Sequence, residues 1–192
     1  MIELVLAYKY LTLFPLALIE GPFIMMICGF LVKLGYFNFT LAYTILVVGD
    51  LLSDMAWYGI GHKFGMSFVR KFGKFLSITE ENVSKVKNIF LKHDSTILFV
   101  SKITMGLGFA LVTLVTAGLV KIPFKRFVFW NAFGGLLWTG ALMAVGFYLG
   151  DFYLKVNGVL GKVSVVALLV MIFMVLISLA RYMRRKFSKE SL

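Results

Sequence analysis

The chain reads as an all-α polytopic membrane protein, with two re-entrant helical hairpins of opposite entry plus about three transmembrane helices. Three observations lead there. The 192 residues are 60% hydrophobic, with 20 phenylalanines and a mean hydropathy of +0.93, whereas a soluble domain holds about half apolar residues. The apolar residues fall into five runs of membrane length. Inside those runs lie three carboxylates, Glu20, Asp50 and Asp54, and one deep cation, Lys102.

The first run, about residues 11–34, is broken by Glu20-Gly21-Pro22 into two pieces, each too short for the ~20 residues of a crossing. The second, about 39–61, is long enough to span and carries Asp50 and Asp54. The third, about 95–120, is interrupted by Lys102 and by Met105-Gly106-Leu107-Gly108. The fourth covers about 127–149, and the fifth, 163–180, is a clean apolar span followed by a basic tail.

Charge parity orders these runs. The loop from His62 to His93 is rich in lysine and arginine, as is the tail from Arg181 to Lys189, and the positive-inside rule places both on the cytoplasmic side. If runs three, four and five all crossed, the tail would end outside. A third run that dips in and returns, with its tip near Met105–Gly108, keeps Lys121, Lys125, Arg126 and the tail inside. Two broken segments in corresponding positions of two halves are the pattern of inverted-repeat transporters; two ordinary kinked spans are the alternative.

Within the basic loop, Ser77-Ile78-Thr79-Glu80 fits a capping box. Val83, Val86 and Phe90 then recur at helical spacing opposite Lys85, Lys87 and Lys92. This predicts an amphipathic helix over about 77–92, lying on the inner leaflet or packed on the bundle. The chain thus divides into an N-terminal segment 1–11, a membrane domain 12–151, a connector and last helix 152–180, and a basic tail 181–192.

The formal charge of +11 does not indicate nucleic acid, because the basic residues cluster between and after apolar runs, where topology and anionic lipid account for them. A lone cysteine, Cys28, allows no internal disulfide and reads as a packing residue. His62 and His93 have no acidic partner at ligand spacing, and nucleophile-elbow, metalloprotease and P-loop motifs are missing from the sequence. No cofactor is expected, and no cleavable signal peptide is evident.

The deep charges carry the functional expectation. A charge at the bilayer centre costs between ~3 and more than ~10 kcal/mol, so such residues mark proton relays, ion sites or substrate paths. One lysine cannot neutralise three acids, and at least one is expected to be protonated part of the time. Asp50 and Asp54, four residues apart, share a helix face and raise each other's affinity for protons. Alternatively one of them holds a broken helix in place. Glu20 binds a proton or a cationic group, or caps the half-helix that follows Gly21-Pro22. Lys102 either engages a lipid phosphate or pairs with Glu20 or Asp54. Thr104 and Asn131 are expected to join it at the headgroup, and Gly106 and Gly108, like Gly21 and Pro22, mark the hairpin breaks. Gly59, Gly61, Gly65, Gly134 and Gly135 read as packing glycines.

Ile19-Glu20-Gly21-Pro22, the stretch from Gly29 to Phe39, Gly49-Asp50 with Asp54 and Tyr58-x-Ile60-Gly61, and Gly146-Phe147-Tyr148-x-Gly150 together resemble the DedA family, also called SNARE-associated Golgi or VTT-domain proteins. The resemblance covers roughly residues 12–151. It implies two opposed re-entrant hairpins and a role in lipid translocation, coupled in bacteria to proton-motive force, with undecaprenyl phosphate or phosphatidylethanolamine as substrate. Glu20, Asp50 and Asp54 match the acids of the family pattern. Lys102, Met105 and Gly108 stand where many relatives carry arginine, proline and arginine, and a lysine is a point charge without arginine's bidentate fork. The expectation is a non-enzymatic lipid translocase of a bacterial or archaeal cytoplasmic membrane, with a cytoplasmic C-terminus and with lipids and protons as partners; a homo-oligomer is compatible with it. A proton- or cation-coupled small-solute transporter is the alternative. A lipid-phosphate enzyme and a structural membrane organiser rank lower.

Overall fold

A computed structural model describes residues 2–19, 21–76, 80, 83–84, 86–88, 98–99, 102, 110–156, 163–164, 167–168, 170–171 and 174. Among these, every regular element is helical. The helices are α1 (Ile2–Ile19), α2 (Gly21–Lys33), α3 (Phe39–Leu76), α4 (Ala110–Leu119) and α5 (Phe124–Lys155).

The first run breaks where expected, between α1 and α2, with Pro22 in the first turn of α2, where a missing N–H costs nothing. The chain doubles back there. Past the end of α2, the Asn38 N–H donates to the Tyr10 hydroxyl at 2.9 Å, and Phe37 packs edge-on to Tyr10 at 5.4 Å. The 13 residues of α2 reach only about 20 Å at ~1.5 Å per residue, short of a ~30 Å hydrocarbon core.

Two helices are long and apolar enough to cross a membrane, α3 over Phe39–Lys71 and α5 over Phe124–Lys155. Their exposed residues include Leu41, Val48, Leu52, Phe129, Phe133 and Leu137. A water-facing helix would show polar groups there, so this apolar outer surface suits lipid.

The second run extends further than its apolar stretch suggested. Helix α3 continues to Leu76, interrupted at Gly65 (φ +50°, ψ −135°), so part of the basic loop is helix. Positive φ is open to glycine at little cost. Beyond it, residues 80, 83, 84 and 86–88 are helical. Val83 and Val86 are buried in a cluster with Val69, Leu98, Val112 and Val115. Phe90 lies outside the described residues.

The chain divides into two compact units: residues 1–50 with 136–176, and residues 51–135 with 177–192. Each unit contains the same local device. In the first, a Cβ added at Gly29 would overlap the Met143 carbonyl, and one at Gly146 would overlap the Met26 carbonyl. In the second, a Cβ at Gly61 would overlap the Val115 carbonyl, and one at Gly118 the Tyr58 carbonyl. Each glycine stands three residues after the carbonyl its partner helix meets. The backbones of α2 and α5, and of α4 and α3, thus touch reciprocally, as small residues permit in membrane bundles.

The two short helices also end alike. After α2, Gly35 N–H bonds Val32 O and Tyr36 N–H bonds Leu31 O; after α4, Lys121 N–H bonds Gly118 O and Ile122 N–H bonds Ala117 O. Both are Schellman turns with a left-handed residue at the same position, Gly35 (φ +81°) in one and Lys121 (φ +59°) in the other.

Candidate functional site

In the second unit, Asp54 on α3 is buried with Lys102 and Asn131. The Lys102 ammonium donates to Asp54 Oδ2, forming an ion pair with both side chains out of water. The Asn131 amide donates to the same oxygen at 2.7 Å. Asp54 is one of the partners weighed for Lys102. Helix α5 contributes twice, because Asn131 binds the carboxylate and Gly134, three residues on, faces the lysine stem. A Cβ at Gly134 would stand 3.2 Å from Lys102 Cβ and 3.5 Å from Phe99. The seat that Gly134 gives Lys102 went unread in the sequence; its signal was the i, i+3 spacing from Asn131 on one helix face.

A buried ion pair gains Coulomb energy only if its remaining hydrogen-bonding capacity is met, and losing one partner leaves an uncompensated charge. Here the amide of Asn131 adds a donor to the carboxylate. The arrangement can therefore hold one anion against Lys102, with a neutral amide alongside.

Asp50 belongs to the first unit. Its carboxylate faces the start of α2, where its Oδ1 would be 3.6 Å from a Cβ at Gly21. Gly21 is thus one neighbour of Asp50, one helical turn before Asp54 on α3. Gly21 and Pro22 form the first turn of α2. Glu20, Thr104, Gly106 and Gly108 lie outside the described residues. Among the packing glycines, Gly61 is tightly enclosed and Gly59 faces open space. Cys28 is buried, as its apolar setting suggested. No cluster of metal-ligating side chains occurs among the described residues.

The VTT domain model matches residues 18–148. The chain is similar to the uncharacterized membrane protein YbfM of Bacillus subtilis, 27% identical over 155 residues that cover 77% of this chain and 94% of that protein. It is also similar to undecaprenyl phosphate transporter A of the same organism, 26% identical over 133 residues, 69% of this chain and 66% of that one. An alkaline phosphatase-like protein of Lactococcus lactis is 24% identical over 160 residues, 81% of this chain and 72% of that one. No solved structure matches. With most of the chain inside the matched domain and its long helices apolar outward, the protein belongs to the VTT-domain, or DedA, family of membrane proteins.

Proposed function

We propose that the protein moves a phosphate-bearing lipid between leaflets, undecaprenyl phosphate or a phospholipid such as phosphatidylethanolamine, and couples that movement to protons. The observation that carries this reading is the buried Asp54–Lys102 pair with Asn131 on the same carboxylate. An unpaired ammonium at that depth is costly, so Lys102 keeps one anion at all times: the Asp54 carboxylate or a headgroup phosphate. When Asp54 takes a proton, Lys102 is released to the phosphate, and when the phosphate leaves, Asp54 gives the proton up. Proton uptake at Asp54 and binding of the headgroup phosphate at Lys102 are therefore linked.

Asp50 beside Gly21, with Glu20 next to it in sequence, supplies a second proton-binding position at the first hairpin. Thr104, Gly106 and Gly108 follow Lys102 in the sequence and are assigned to the same headgroup site. The shared construction of the two units supports alternating access by one hairpin and then the other. A relative named as an undecaprenyl phosphate transporter agrees with the substrate class. The basic loop and tail support a cytoplasmic C-terminus.

The test is leaflet exchange of fluorescent polyprenyl phosphate and fluorescent phospholipid in proteoliposomes, with and without a pH gradient. Wild type is expected to accelerate exchange of at least one lipid under the gradient. Asp54→Asn should lose the response to pH, and Lys102→Met should lose exchange. Wild-type rates and pH response in both variants would remove the mechanism. If folded wild-type protein exchanges neither lipid, the reading moves to small-solute transport.

A further inference from the structure

Tyr58 gathers one end of the second unit around itself. Its hydroxyl donates to the Ile122 carbonyl at 2.6 Å. Its ring packs against His62, Phe124 and Phe127 at centroid separations of 5.9, 5.7 and 4.4 Å. Gly118 fits against the Tyr58 carbonyl and the His62 amide. The α4–α5 turn is thereby fixed beside α3, and together they expose His62, Lys63, Phe64, Lys121, Phe124 and Lys125. Among the described residues, none of the three lysines is paired with a carboxylate.

The matching end of the first unit is arranged differently. There Lys33 meets Asp151 at 2.7 Å, and Lys155 meets the same carboxylate at 2.7 Å. The left-handed turn position holds Gly35. In the second unit that position holds Lys121 at φ +59°, a conformation in which glycine is unstrained and a side chain is not. Lys125 follows in the first turn of α5, which contains no acidic residue and where the helix dipole opposes a cation. Local preference has been set aside twice in neighbouring places, each time in favour of positive charge. Phe64 and Phe124 are about half exposed beside these lysines. Aromatic rings flanked by lysine suit the boundary between headgroups and acyl chains.

We propose that Lys63, Lys121 and Lys125, framed by Phe64 and Phe124, form a docking surface for the phosphate headgroups of anionic membrane lipids. The surface is separate from Asp54, Lys102 and Asn131 and does not depend on the transport reading. Its role is to hold a lipid against the rigid end of α3 and α4.

The full-length protein in detergent can be titrated with phosphatidylglycerol, phosphatidylcholine and inorganic phosphate, with bound lipid read by native mass spectrometry. Phosphatidylglycerol is expected to be retained about fivefold or more over phosphatidylcholine at low salt. A Lys121→Gly, Lys125→Gln double variant should lose that preference, whereas Lys121→Arg should keep it. Lys121→Gly alone should melt no lower than wild type, because glycine suits the turn, so its weaker lipid retention would not reflect misfolding. Equal retention of the two lipids would overturn the proposal, as would a preference that survives in the double variant. Displacement of the lipid by millimolar inorganic phosphate would also overturn it, since the lipid would then be read as a free anion. A lower melting temperature for Lys121→Gly would assign Lys121 to the fold instead.

Discussion

Asp54, Lys102 and Asn131 decide the local chemistry because each is useless at that depth without the others. Asp54→Asn leaves Lys102 facing an amide, and Lys102→Met takes the ammonium away from the Asp54 carboxylate that Asn131 also meets. Each single change should destabilise the protein by about 3 kcal/mol, and the double variant by less than either, because an apolar or neutral replacement of the whole pair removes the uncompensated charge. Thermal unfolding of the four proteins in one detergent measures this, and strictly additive losses would show that the pair is not coupled. Two of these residues were legible as charges inside apolar runs, and Asn131 as a polar handle on the fourth run. That Lys102 meets Asp54 was not legible. Spacing puts both acids of α3 on one helix face, and only packing brings Lys102, 48 residues on, to one of them.

At the scale of elements, the glycines divide into three kinds that sequence treats alike. Gly29, Gly61, Gly118 and Gly146 each face a carbonyl of another helix. An alanine at any of them should force the helices apart and cost about 2 kcal/mol or more. Gly59 faces open space within a helix, so Gly59→Ala should be neutral or stabilising by up to ~1 kcal/mol. Gly65 also has open space, but its positive φ makes Gly65→Ala unfavourable by ~1–3 kcal/mol through backbone strain alone. Melting temperatures should rank Gly59→Ala above wild type and Gly65→Ala and Gly118→Ala below it; a Gly118→Ala protein as stable as wild type would show that α3 and α4 do not touch backbone to backbone. The hairpin break at Glu20-Gly21-Pro22 was readable because proline and glycine act on their own segment. The reciprocal locks were not, because a glycine carries no mark of the carbonyl it will meet.

For the whole molecule, the sequence argued membrane residence from an excess of apolar residues, and the outward apolar faces of α3 and α5 fit that origin. The proposed path, in which the second hairpin enters and leaves from one side, has a direct consequence. Single cysteines placed at Ser77 and at Ser188, in a Cys28→Ser background, should react with a membrane-impermeant maleimide from the same side of a sealed vesicle. Labelling from opposite sides would mean that the third run crosses. Cys28, being buried, should stay unreactive in the native protein even toward a permeant reagent and react after denaturation.

Composition and the position of prolines and deep charges determined by themselves that this is a helical membrane protein, where its first apolar run breaks and which charges to watch. These features act through solvation and through the local backbone, and both are written residue by residue. Only the tertiary structure decided that Asp54 meets Lys102, which glycines lock helices together and that, among the described residues, Lys63, Lys121 and Lys125 gather around the α4–α5 turn without a carboxylate. Those outcomes rest on contacts between residues far apart in sequence, such as Asp54 with Asn131 and Tyr58 with Ile122, and such contacts exist only once the helices have packed.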